Sequence, residues 1–131
     1  MKYTDLTPEE KKFICNGMGR KGWQGILLNW LNRWFEEDAN EHDFDYWRGG
    51  NESDRIKADN NFLDRLIASA TYKDKTISNR KRNVISRFLL LRAAYRIHHA
   101  VYEMGDDPKL GGFNYRTKPK THKKLLQEMQ A

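Results

Sequence analysis

The sequence predicts an all-α fold, and three observations carry that prediction. Helix-length segments at 36–47 and 53–72 flank the turn Arg48-Gly49-Gly50-Asn51, so the pair reads as an antiparallel helical hairpin reversed by glycine. The second segment carries Ile56, Phe62, Leu63, Leu66, Ile67 and Ala70 at helical spacing, the stripe of a helix with one buried face. A third and longer segment, 78–104, repeats such a pattern and is closed by Gly105, a residue suited to ending a helix. With 131 residues, 38% of them hydrophobic, the chain fits a single domain over 1–131 with a real core.

In chain order, Thr7-Pro8-Glu9-Glu10 is a helix start: a hydroxyl cap, proline in the first turn, and carboxylates at the positive end of the helix dipole. The helix runs to about residue 14. Residues 16–22, Asn-Gly-Met-Gly-Arg-Lys-Gly, hold too much glycine for a stable helix. They read either as an ordinary glycine-rich turn or as a loop that turns its carbonyls or amides toward a bound ion. From Gln24 to Phe35 the chain is apolar and rich in tryptophan, a short helix or an irregular segment. Those tryptophans fit either a core or an interfacial, lipid-facing surface.

The helix from about Glu36 opens with Glu36, Glu37 and Asp38, as the dipole favours. A polar link at 72–79 precedes the longest helix, whose broad apolar side includes Val84, Ile85, Phe88, Leu89, Leu91, Ala94, Tyr95, Val101 and Tyr102. Arg80, Lys81, Arg82, Arg87, Arg92 and Arg96 form its basic side, either a solvated face or an anion-binding ridge. His98 and His99 are adjacent and diverge on a helix, so they do not read as a metal pair. The tail, about 106–131, is basic and partly extended. Phe113 and Tyr115 hold its first part to the body, and 121–130 reads as a short helix or as disorder.

Net charge is +6, which points to an anionic partner: nucleic acid, an anionic lipid surface, or a phosphate-bearing substrate. One cysteine, Cys15, excludes an intramolecular disulfide and a multi-cysteine metal site. No apolar run approaches the roughly 18 residues a membrane helix needs. The first residues lack the apolar core of a signal peptide. Synthesis in the cytoplasm is the expectation, with export through lysis or assembly into a particle such as a virion.

The chemistry concentrates in the hairpin. His42 and Asp59 are equidistant from the turn's centre, so they lie at one level and face each other, the arrangement of a histidine oriented by a carboxylate. Tyr46 is four residues from His42 and shares its face, whereas Asp43 is rotated by about 100° and does a separate job. Asp59, on the Ile56–Leu63–Leu66 side of its helix, needs a partner because an unpaired buried charge costs several kcal/mol. His42 and Tyr46 supply it.

Together the glycine loop at 16–22, His-Asp-x-x-Tyr at 42–46 and Ala-Asp-x-x-Phe at 58–62 resemble the phospholipase A2 family, in particular its small prokaryotic and phage-encoded branch. The resemblance covers about residues 13–72 and implies a small phospholipase A2-like fold. It implies that His42 is the general base, that Asp59 holds its ring, and that Tyr46 bonds to Asp59. It also implies a Ca²⁺ site made by the carboxylate of Asp43 and the backbone carbonyls of Gly17, Gly19 and Lys21, with the ion polarising the sn-2 carbonyl. Where family members carry a bridged cysteine pair around the calcium loop, this chain has Met18 and Ala39. Loss of both halves together fits a reducing compartment.

The leading expectation is therefore a calcium-dependent phospholipid acyl-ester hydrolase acting at an anionic membrane surface. Two alternatives come from other classes. One is a catalytically inactive phospholipase A2-like virion or interaction protein binding an anionic partner. The other is a basic helical nucleic-acid binder in which His42 and Asp59 are only a buried structural pair.

Overall fold

The computed structural model of the chain describes residues 1–15, 29–71, 76–77, 80–81, 84–105 and 112–131. The fold is all-α. A 3₁₀ turn, Tyr3–Asp5, leads into α1, Pro8–Cys15. Helix α2 spans Asn29–Arg48, α3 Glu52–Thr71, α4 Val84–Met104 and α5 His122–Gln130. Between α3 and α4, Thr76–Ile77 and Arg80–Lys81 pair antiparallel, Thr76 opposite Lys81 and Ile77 opposite Arg80.

Local chemistry explains the helix starts. At α1 the Thr7 amide donates to Glu10 Oε1 at 2.9 Å while the Glu10 amide donates to Thr7 Oγ1 at 3.2 Å, a reciprocal cap that satisfies two otherwise orphaned N–H groups. Asn51 and Asp54 do the same for α3, at 3.0 and 2.9 Å. Between α2 and α3 the chain reverses through Gly49 and Gly50, whose φ angles of 71° and 142° lie where a side chain is strained.

Helix α2 begins at Asn29, earlier than the expected start near residue 36. Trp34 and Phe35 thus belong to the hairpin's first arm and are buried in its core; Trp23 and the side chain of Trp30 lie outside the described residues. The expected helix over 78–104 is also shorter at its front. Arg80 and Lys81 pair with the preceding strand, and α4 begins at Val84.

The cross-helix bonds of α2 and α3 run in antiparallel order. Trp34 Nε1 donates to the Ser69 carbonyl at 2.9 Å, the Ser69 hydroxyl bonds Asp38, and Arg65 pairs with Glu41 at 2.7 Å and Asp45 at 3.1 Å. The buried face of α3 is Arg55, Ala58, Asp59, Phe62, Leu66 and Ala70. This corrects the predicted stripe: Ile56 is exposed and Leu63 and Ile67 are half-buried, since the close-packed face is rotated toward the small residues Ala58 and Ala70. Against it, α4 buries Leu90, Ala94, Ile97 and Val101. Phe88, Leu89, Tyr95 and Tyr102, expected on the apolar side, face solvent instead, Phe88 at 61% exposure.

Helix α2 has a second apolar face. Phe44 and Trp47 join Tyr3, Leu6, Ile14, Cys15 and Leu125 in a separate cluster, so α1 and α5 cover the side of α2 turned away from α3. The tail crosses the hairpin turn between these regions. Gly50 bridges Tyr115, the Asn114 amide donates to the Tyr46 carbonyl at 3.3 Å, and the Arg116 amide donates to the Gly50 carbonyl at 2.8 Å. Phe113 packs edge-on against Tyr46 at 5.3 Å. Of the two readings of 121–130, the structure shows the helix, capped by Thr121. Cys15 is buried, its thiol 3.7 Å from the Asn40 carbonyl oxygen, and among the described residues no helix is long and apolar enough to cross a membrane.

Candidate functional site

Asp59 is the centre of the site. Its carboxylate is wholly buried, and His42, at 1% exposure, lies across the hairpin with Nε2 at 2.9 Å from Asp59 Oδ1. The Tyr46 hydroxyl donates to the same oxygen at 2.6 Å. Oδ2 accepts from Arg55 Nη1 at 3.1 Å. A carboxylate can only accept here, so His42 carries its proton on Nε2 and offers Nδ1 as the ring's acceptor nitrogen.

The surroundings fix the imidazole further. Phe62 stacks on it with ring centroids 4.4 Å apart, and Tyr46 lies on it at 4.1 Å. Burial pushes the His42 pKa down, and it outweighs the hydrogen bond and charge of Asp59, which act upward. The ring is thereby kept neutral, as a general base requires. The Tyr46 hydroxyl is pushed up by burial first and by Asp59 second, so it remains a donor.

Arg55 was not among the residues singled out from sequence, yet it is one of the most buried charges in the molecule at 4% exposure. Glu52 holds it from the surface, with Nη2 to Oε1 at 2.7 Å and Nε to both carboxylate oxygens at 3.2 Å. Glu52 also accepts from the Tyr115 hydroxyl at 2.5 Å. The bonds from Arg55 and Tyr115 hold the Glu52 carboxyl down at about 2. The signal was present: Glu52, Arg55 and Asp59 are spaced i, i+3 and i+7, so both acids fall on the arginine's own face of the helix. Gly105 completes the cradle. A Cβ there would stand 2.5 Å from the Tyr46 hydroxyl and 3.3 Å from Arg55 Nη1.

Asp43 is buried at 2% exposure, one residue on from His42 and so rotated by about 100° from it around α2. A buried carboxylate suits a hard divalent cation. Among the described residues no group of three or more His, Cys, Asp or Glu side chains is arranged to hold a metal. Gly17, Gly19 and Lys21, the expected sources of backbone carbonyls for the ion, lie outside the described residues, as do Met18 and the loop as a whole. Asp45, next along α2, pairs with Arg65. His98 packs near Tyr102 while His99 faces solvent, consistent with their divergence.

No family model, curated protein or solved structure matches the chain.

Proposed function

We propose that the protein is a calcium-dependent phospholipid acyl-ester hydrolase of the phospholipase A2 type. The observation that carries this reading is the single Asp59 oxygen that takes both the His42 Nε2 proton and the Tyr46 hydroxyl, with buried Asp43 one residue from the histidine. A purely structural ion pair needs no oriented neutral imidazole beside a second buried carboxylate.

In this mechanism His42 Nδ1 takes a proton from a water whose oxygen adds to the ester carbonyl carbon. Asp59 stabilises the imidazolium that forms, through the Nε2–H bond already in place. Nδ1 then returns the proton to the departing glycerol oxygen as the tetrahedral adduct collapses, releasing the fatty acid and the lysophospholipid. Held by Asp43 and the backbone oxygens of Gly17, Gly19 and Lys21, Ca²⁺ would polarise the sn-2 carbonyl and stabilise the oxyanion. Arg92 and Arg96, exposed beside Phe88, Leu89 and Tyr95 on α4, supply charge and apolar surface for an anionic bilayer. The same exposed face supports the second reading, a non-catalytic scaffold that docks an anionic partner.

The test is fatty-acid release from mixed anionic vesicles. Release should need Ca²⁺, stop with EGTA, and fall by roughly 10²- to 10⁴-fold in His42→Gln, with a comparable loss in Asp43→Asn. Release indifferent to chelation sinks the calcium mechanism. Vesicle binding without hydrolysis favours the scaffold.

A further inference from the structure

We infer that Arg55 is the positioning residue of this site: it sets the plane of the Asp59 carboxylate and thereby aims Oδ1 at His42. This inference rests on the hydrolase reading for its kinetic consequence and on the hydrogen bonds alone for its structural one.

The geometry makes the case. His42 and Tyr46 both bond Oδ1. Two donors on one oxygen leave the carboxylate able to pivot about that oxygen. A third donor on the other oxygen removes the freedom, and Arg55 Nη1 is that donor, 3.1 Å from Oδ2. Arg55 is itself held in place. Glu52 takes its Nε and Nη2, Tyr102 lies under the guanidinium at 5.2 Å, and Gly105 leaves the space the group fills. The chain of bonds runs from Tyr115 in the tail through Glu52, Arg55 and Asp59 to His42, so an exposed hydroxyl at one end is linked to a buried imidazole at the other.

Charge supports the same assignment. Asp59 lies in the interior, where a lone carboxylate is costly. The guanidinium offsets that charge, which leaves Tyr46 and His42 to donate as neutral groups. Glu52 in turn offsets Arg55 from a side chain that is 55% exposed, where a carboxylate is cheaply solvated. A guanidinium suits this task because its rigid fork can serve Glu52 and Asp59 at once.

The experiment compares wild type, Arg55→Met, Arg55→Lys and the surface pair Glu52→Gln with Tyr115→Phe. Two readouts are taken: kcat and KM for calcium-dependent release, and the ¹⁵N signals of the His42 ring at a fixed pH where it is neutral. In wild type the ring should show the Nε2–H tautomer. Arg55→Met should lower kcat about 10- to 100-fold with KM and the calcium requirement unchanged, and should move the ring signals toward an average of both tautomers. Arg55→Lys should recover part of kcat and of the wild-type signals. The surface double variant should lose roughly two- to fivefold in kcat with a smaller drop in melting temperature than Arg55→Met, and it carries the test if Arg55→Met does not fold. A role in stability alone would lower the melting temperature and leave both readouts untouched, which overturns the inference. If wild type shows no release at all, the hydrolase reading fails. The ring signals then decide by themselves: a tautomer change in Arg55→Met upholds the positioning role and an unchanged tautomer overturns it.

Discussion

Replacing Asp59 by Asn removes one charge and almost no volume, so its effect isolates the electrostatics of the buried cluster. The variant leaves Arg55, 4% exposed, without its interior counter-charge and turns an acceptor-only group into one with two N–H donors. Whichever way the amide is turned, its NH₂ meets a donor: Arg55 on one side, or Tyr46 and the His42 Nε2–H on the other. Breaking one side of a buried pair costs about 3–5 kcal/mol, against about 1 kcal/mol for an ordinary neutral hydrogen bond. Charge outweighs bond count here. With a urea dependence near 2 kcal/mol per M, a loss of about 4 kcal/mol lowers the unfolding midpoint by about 2 M. Trp34 and Trp47 are buried, so tryptophan fluorescence follows the transition. The double variant with Arg55→Met should be more stable than the sum of the single losses implies, with a coupling of about 1–3 kcal/mol. A loss below about 1 kcal/mol for Asp59→Asn, or strict additivity in the cycle, would refute the buried-pair reasoning.

Gly105→Ala should cost about 1–3 kcal/mol in urea unfolding and reduce fatty-acid release more than stability, because the new methyl displaces the Tyr46 hydroxyl from 2.5 Å. Stability should also fall in acid through Glu10. Its carboxylate is held below the ordinary 4.5, first by the Thr7 amide and then by His122. A carboxylate lowered on folding contributes its full stability above the unfolded value, and the contribution is lost as pH falls through the folded one. Urea midpoints from about pH 6 to about pH 3 should drop in wild type and be flatter in Glu10→Gln; equal slopes would contradict this.

The facing of His42 and Asp59 was legible because helical hairpins conserve level: residues equally distant from a short turn meet. The structure shows that facing, with His42 Nε2 at 2.9 Å from Asp59 Oδ1. What escaped was set by context. The sequence starts the helix near residue 36 and leaves 24–35 as a short helix or an irregular segment, whereas α2 begins at Asn29: Trp34 and Phe35 suit a helix, a core or an interface equally, and their burial in the core decides. The strand pair at Arg80 and Lys81 was read as helix because a basic run carries no periodicity. Apolar spacing on α4 marks Phe88 and Tyr95 as core, but among the described residues α4 buries one narrow stripe, Leu90, Ala94, Ile97 and Val101. Arg55 was missed for another reason. Charged residues default to the surface, and nothing short of the Glu52 and Asp59 spacing says that this one is inside.

The tail's pairing across the Gly49–Gly50 turn also sets an order of events in time. Helices α2 and α3 are neighbours in sequence and can close on each other early, since short loops cost little entropy to close. The bonds of Asn114, Tyr115 and Arg116 to the turn, and the seat of Phe113 on Tyr46, join residues far apart along the chain and form later. Synthesis proceeds from the N-terminus, so a growing chain displays His42, Asp59 and Arg55 well before Phe113 and Tyr115 exist to brace them. The site is spelled out in the first half of the chain and finished by the last fifth.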